Sequence, residues 1–110
     1  IEYTFRWNKQ REGAHAGGND KRYNENGIGI CMIGDYEDHE SDAFQLERTA
    51  TLCACLIESV PELRVEYIIG HRDVPGKNTK CPGKFINILT FQRLVNKILF
   101  ERAQAREQTP

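Results

Sequence analysis

A histidine and a cysteine ten residues apart, His71 and Cys81, frame the stretch of this 110-residue chain that holds the most chemistry, GHRDVPGKNTKCPG. Imidazole nitrogen and thiolate sulfur are both zinc donors. Zinc takes four ligands in a tetrahedron and, in catalytic sites, leaves one of the four positions to water. The residues between them are polar, and the turn-forming pairs Pro75-Gly76 and Pro82-Gly83 steer the chain before and after Cys81. Zinc coordination by His71 and Cys81 is one reading. The other makes His71 a hydrogen-bonded turn histidine and Cys81 a small buried apolar residue, because two ligands fall short of the three that a catalytic zinc requires. His71-Arg72-Asp73-Val74 with Asn78 also fits the protein-kinase catalytic loop. The glycine-rich loop, the V-A-I-K lysine and the D-F-G that a kinase needs are missing from the sequence.

The elements that must position this loop are predicted on both sides of it. Residues 65–69 (VEYII) are apolar and β-branched at most positions and read as a buried strand ending at Gly70. That places His71 just past a strand's C-terminal end, where open α/β sheets put their ligand sites. Residues 27–34 (GIGICMIG) are apolar or small throughout, which predicts a central strand covered on both faces. Residues 1–7 alternate Ile1, Tyr3, Phe5 and Trp7 with Glu2, Thr4 and Arg6, the pattern of a half-buried strand. Residues 35–41 (DYEDHES) read as a solvated acidic connection.

Two helices are expected. Over residues 42–60, Asp42 caps with Gln45 as the return partner of a capping box, and Leu46, Ala50, Cys53, Ile57 and Val60 form one apolar stripe that Pro61 ends. Within residues 87–106, Ile88, Phe91, Val95, Ile98 and Arg102 recur at helical spacing, with Leu94 and Leu99 widening the stripe. The apolar character fades after Phe100, so residues 101–110 are expected to form a polar tail behind a domain spanning residues 1–100. The resulting fold class is α/β, a central mixed β-sheet flanked by helices, with a strand–helix–strand unit over residues 27–69. A parallel crossover there would be right-handed.

Composition narrows the partners. The chain is 39% hydrophobic and carries a net charge of −1 from 15 basic and 16 acidic residues, which gives no reason to expect nucleic acid or an anionic membrane as a partner. No stretch approaches the roughly 20 apolar residues of a membrane span. Of the four cysteines, Cys53 and Cys55 point to different faces of their helix. Cys31 and Cys53 read as core residues, and Cys81 is assigned to metal. A Cys31–Cys53 disulfide stays open.

At this point three motifs carry a resemblance. Gly70-His71-Arg72-Asp73 followed by Thr79, Cys81, Pro82 and Gly83 resembles the C-terminal zinc motif of the peptidoglycan-recognition and type 2 N-acetylmuramoyl-L-alanine amidase family, which includes the phage T7-type lysozymes. Gly13-Ala14-His15-Ala16-Gly17-Gly18-Asn19 resembles the family's G-A-H-A-x-G-x-N loop. Asn26-Gly27-Ile28-Gly29-Ile30 with Ile33-Gly34 resembles its N-x-x-S-I-G-I segment, with Gly27 where serine is usual. The motifs occur in the family's order between residues 13 and 83, which makes the match specific.

The resemblance implies a Zn2+ cofactor with His71 and Cys81 among its ligands. The implied reaction is hydrolysis of the amide joining the lactyl group of N-acetylmuramic acid to L-alanine of the peptidoglycan stem. Thr79 falls where the family places a lysine or threonine that helps at the oxyanion. His15, Asn19 and Lys80 are implied as groove residues contacting the muropeptide. Asp73 is placed to orient His71 or the loop from behind, or to pair with Arg72. Such a protein acts on the cell wall, in a periplasmic, extracellular or phage-delivered setting.

The family's first zinc ligand, a histidine, and its active-site tyrosine lie upstream of the G-A-H-A loop. The only histidines here are His15, His39 and His71. The chain is therefore expected to correspond to the last two-thirds of the domain, as an N-terminally truncated or degenerate relative with His15 as a candidate substitute ligand. A sheet lacking an early strand is expected to expose apolar surface or to self-associate. Three functions follow: a zinc amidase, a non-catalytic peptidoglycan-binding module with an incomplete zinc site, or an unrelated small α/β domain in which His71 and Cys81 are structural.

Overall fold

The computed structural model describes residues 26–37, 40, 42–76 and 78–108. The strand expected at residues 1–7, the loop carrying His15 and Asn19, and the residues His39 and Lys77 lie outside the described residues.

Two helices build the core. Helix α1, Ala43–Ser59, begins where Asp42 accepts the backbone N–H groups of Phe44 (2.7 Å) and Gln45 (3.3 Å) on its carboxylate. The capping-box return does not form. Gln45 instead turns its amide outward, donating to the Ile33 carbonyl at 3.1 Å and accepting from the Tyr36 hydroxyl. Pro61 ends the helix by forcing the residue before it, Val60, into an extended conformation (φ −116°, ψ 106°). Helix α2, Ile88–Glu107, starts at Asn87, whose side chain accepts the Thr90 N–H at 3.0 Å.

The stripes read from the sequence face each other. Ala50, Cys53 and Ala54 of α1 are buried against Phe91, Val95 and Ile98 of α2, with Leu46, Ile57, Leu94 and Leu99 around them. Ala50, Ala54 and Val95 have no exposed surface. Small residues on α1 let the larger side chains of α2 fill the space between the helices, which is how a short apolar inventory closes a core.

The expected α/β architecture is overturned: among the described residues there is no strand and no sheet, and the regular structure is helical. Residues 65–69 make a 3₁₀ turn over Val65–Tyr67. The reason lies in the periodicity that the core selects. A strand would put Val65, Tyr67 and Ile69 on one face. The 3₁₀ turn aligns i with i+3, so Val65 and Ile68 pack on the helix pair while Tyr67 (61% exposed) and Ile69 stay outside. Gln92 of α2 fixes this choice by donating to the Ile68 carbonyl at 2.8 Å. Residues 27–33 are irregular, and Ile28, Ile30 and Ile33 are exposed, Ile33 at 89%. With residues 65–69 wound into a turn, that segment loses the strand that would have paired with it. Cys31 is exposed rather than in the core, Cys53 is buried, and all four thiols are free.

The polar tail expected after Phe100 is helical as far as Glu107. Arg102 and Arg106 reach back to Glu58 near the end of α1, with Arg102 Nε 3.0 Å from Glu58 Oε1 and Arg106 pairing with the other carboxylate oxygen. Burial alone would raise the Glu58 carboxyl, but hydrogen bonds from Arg106 and Arg102 outweigh it and hold the group below its usual range.

Two predictions follow from the helix pair. Phe91→Ala removes a ring that is 7% exposed and should destabilise the fold by about 3–5 kcal/mol in urea unfolding. Glu58 is depressed in the folded state, so its stabilisation is complete above the unfolded carboxyl value of about 4.3 and disappears as pH falls through the lower folded value. Glu58→Gln should therefore be less stable than the parent at pH 7, by no more than about 1 kcal/mol for so exposed a group. The difference should shrink as pH falls below the unfolded carboxyl value and through the lower folded one, read in the same unfolding experiment.

Candidate functional site

The GHRD and T-x-C-P-G motifs form one folded-back loop between the 3₁₀ turn at Val65–Tyr67 and the start of α2. His71–Asp73 is a second 3₁₀ turn, so His71 opens a turn rather than following a strand. Asp73 closes this turn on itself. Its N–H donates to the Gly70 carbonyl at 2.9 Å, and its carboxylate accepts the Gly70 N–H at 2.9 Å. The two ends of the loop then meet. A β-carbon on Gly70 would lie 2.8 Å from the Pro82 ring, a spacing only glycine allows.

Arg72 joins the halves. Its backbone N–H donates to the Cys81 carbonyl at 2.9 Å, and its guanidinium donates to the carbonyls of Gly83 and Ile86, each at 3.0 Å. The main chain thus ties the turn that carries His71 to Cys81. His71 is half-buried and Cys81 is exposed. Thr79 accepts the Cys81 N–H on its hydroxyl oxygen at 3.2 Å. A hydroxyl has one donor and two acceptor sites, so this bond leaves the Thr79 proton able to point elsewhere. Lys80 is exposed beside it, and its carbonyl accepts the Gly83 N–H at 2.7 Å to make the turn after Cys81.

A second wall completes an open cleft, lined by Asp35, Tyr36 and Glu37 on one side and by Lys80, Cys81 and Pro82 on the other. Residues 35–37 had read as solvated, yet Tyr36 is buried. Its hydroxyl donates to the Ile33 carbonyl at 3.0 Å and contacts Gln45. Its carbonyl accepts the Phe85 N–H at 3.0 Å, and the Glu37 carboxylate accepts the Lys84 N–H at 2.9 Å. The one signal of this in the sequence was an aromatic residue inside a charged run. Arg72 was also missed in its actual role, because its place beside Asp73 suggested a local ion pair.

The donor types suit zinc: one imidazole and one exposed thiol held on adjacent backbone. Cys53 is a different kind of thiol, pushed up to about 11 by burial in the helix interface and inert there. Among the described residues no group of three or more His, Cys, Asp or Glu side chains is placed to hold a metal ion. His15 and Asn19 lie outside the described residues.

Gly83 is the tightest point of the cleft. Its φ is +106°, and a β-carbon there would stand 2.4 Å from the Tyr36 carbonyl carbon. Gly83→Ala should destabilise the chain by at least about 1–3 kcal/mol, read as a lowered urea midpoint, with Tyr36 fluorescence reporting release of the cleft wall.

Comparison with known proteins gives a match to one family model, described as N-acetylmuramoyl-L-alanine amidase, over residues 3–84, which is 82 of the 110 residues. No curated protein and no solved structure matches the chain.

Proposed function

The chain belongs to the N-acetylmuramoyl-L-alanine amidase family, and on that footing we propose that it hydrolyses, with zinc, the amide between N-acetylmuramic acid and L-alanine of peptidoglycan. Peptidoglycan amidase chemistry is the family-level function. The observation that supports assigning it to this loop is the Arg72–Cys81 backbone bond, which ties the residue after His71 to Cys81, itself part of the lining of an open cleft.

In this reading His71 and Cys81 hold zinc together with a donor from outside the described residues. Bound there, zinc would polarise the scissile carbonyl and lower the pKa of a water toward about 7. The chain's own residues orient the substrate. Thr79 offers its hydroxyl proton to the oxygen that gains charge as the carbonyl is attacked. Lys80, exposed at the same edge, adds positive charge there. Asp73 acts from behind by keeping the turn that carries His71 closed. The muropeptide lies along the cleft between residues 35–37 and 80–83, with His15 and Asn19 as further contacts. No helix of the described residues is long and apolar enough to cross a membrane, and the exposed side chains of Ile33, Phe44, Leu89 and Phe100 favour self-association.

A second reading, a peptidoglycan-binding module without catalysis, is favoured by the two-donor count among the described residues. Metal content and turnover separate the two. The amidase reading expects about one zinc per chain, as a single catalytic site binds, lost in Cys81→Ser, together with release of stem peptide from muropeptides by the parent protein. A chain that sediments with purified cell walls, holds no zinc and releases no peptide is the binding module.

A further inference from the structure

The cleft poses a problem of precision. The two candidate donors sit on separate turns, His71 on the His71–Asp73 turn and Cys81, which lines the cleft, at the start of the next, with a polar stretch between them. Of the described residues between the two turns, Gly76, Asn78 and Lys80 are exposed and Thr79 is half-buried. Three hydrogen bonds from Arg72 run instead from one turn to the other, ending on the carbonyls of residues 81, 83 and 86. These acceptors begin at Cys81 itself and run to the residue before the α2 cap, Asn87.

We propose that Arg72 is a positioning residue for the His71–Cys81 donor pair, setting the distance between the two donors through the main chain without touching the metal or the substrate. This rests on the reading of His71 and Cys81 as metal ligands. The choice of arginine is physical. A guanidinium is a planar fork whose N–H groups diverge, so one group can serve two carbonyls at residues 83 and 86 at once, each at 3.0 Å. A lysine ammonium is a point charge on a flexible stem and fixes neither direction. Because the same residue's backbone amide holds the Cys81 carbonyl, movement of the 81–86 turn relative to His71 strains all three bonds together.

The test is Co2+ titration of the whole chain, following the thiolate-to-cobalt absorption that only a cysteine ligand produces. Parent, Arg72→Lys, Arg72→Gln and Glu58→Gln proteins are compared, with helical circular dichroism to check folding. Glu58→Gln serves as a control because it loosens the helix pair far from the loop. Arg72→Gln should keep its helical signal and bind cobalt about 10–100-fold more weakly, the range for loss of an outer support of a metal ligand. Arg72→Lys should fall between it and the parent, and Glu58→Gln should bind like the parent. If Arg72→Gln fails to fold, the comparison rests on Arg72→Lys, which retains the charge and the backbone bond. Equal cobalt affinity in the parent and the Arg72 variants overturns the positioning role and leaves the ligand-pair reading standing. Equal weakening in Glu58→Gln overturns it as well, by showing that global loosening suffices. Absence of the thiolate band in the parent protein overturns the ligand pair itself, and the positioning role with it.

Discussion

The carbonyl groups that the Cys81 loop turns inward need donors, and Arg72 supplies them. A chain that folds back through two proline–glycine turns cannot pair its main chain as a helix or sheet would, and an unpaired carbonyl away from water is costly. Arg72 answers with one amide and a forked cation, ending on residues 81, 83 and 86. The loop thereby becomes part of the body of the domain, since Ile86 is buried and the next residue caps α2.

The support beneath the loop is layered. The α1–α2 interface, closed by Ala50 and Ala54 under Val95, fixes where α2 begins. Gln45 near the start of α1 holds Tyr36 through its amide, and Tyr36 in turn receives Phe85 just before α2. The cleft walls are thus each tied to the first turn of a different helix. Among the described residues, these ties hold the cleft walls from two helix N-termini and not from a sheet.

How much of this could be read from residues alone differs by kind of signal. The helices were legible because both carry a long 3.6-residue stripe, the first with a cap as well, and the same residues are found in the interface, from Leu46 to Ile57 and from Phe91 to Ile98. The loop over residues 70–83 was legible as a turn-rich unit because its turn residues are proline and glycine. The strands were misread. Residues 65–69 satisfy a strand pattern as well as a 3₁₀ one, and only the presence of Gln92 and the helix face decides between alignment at i+2 and at i+3. Residues 27–34 looked buried because every side chain is apolar or small, but composition does not supply a neighbouring strand. Tyr36 and Arg72 were misjudged because their partners, Gln45 and residues 81–86, are distant in sequence. The capping box failed for the same reason, since a distant tyrosine competes for the Gln45 amide.

Because the geometry of the Cys81 loop is written into its main chain and one guanidinium, the outward side chains at positions 78 and 80 are released from structural duty. Asn78 and Lys80 are exposed, and the groups that shape the turn near them are the Lys80 carbonyl and the Thr79 hydroxyl. Substitution at position 80 would change what the cleft rim offers a ligand while leaving its frame alone. This is an interchangeable lip on a fixed hinge plate, a place where the surface of the cleft can change without first having to rebuild the fold.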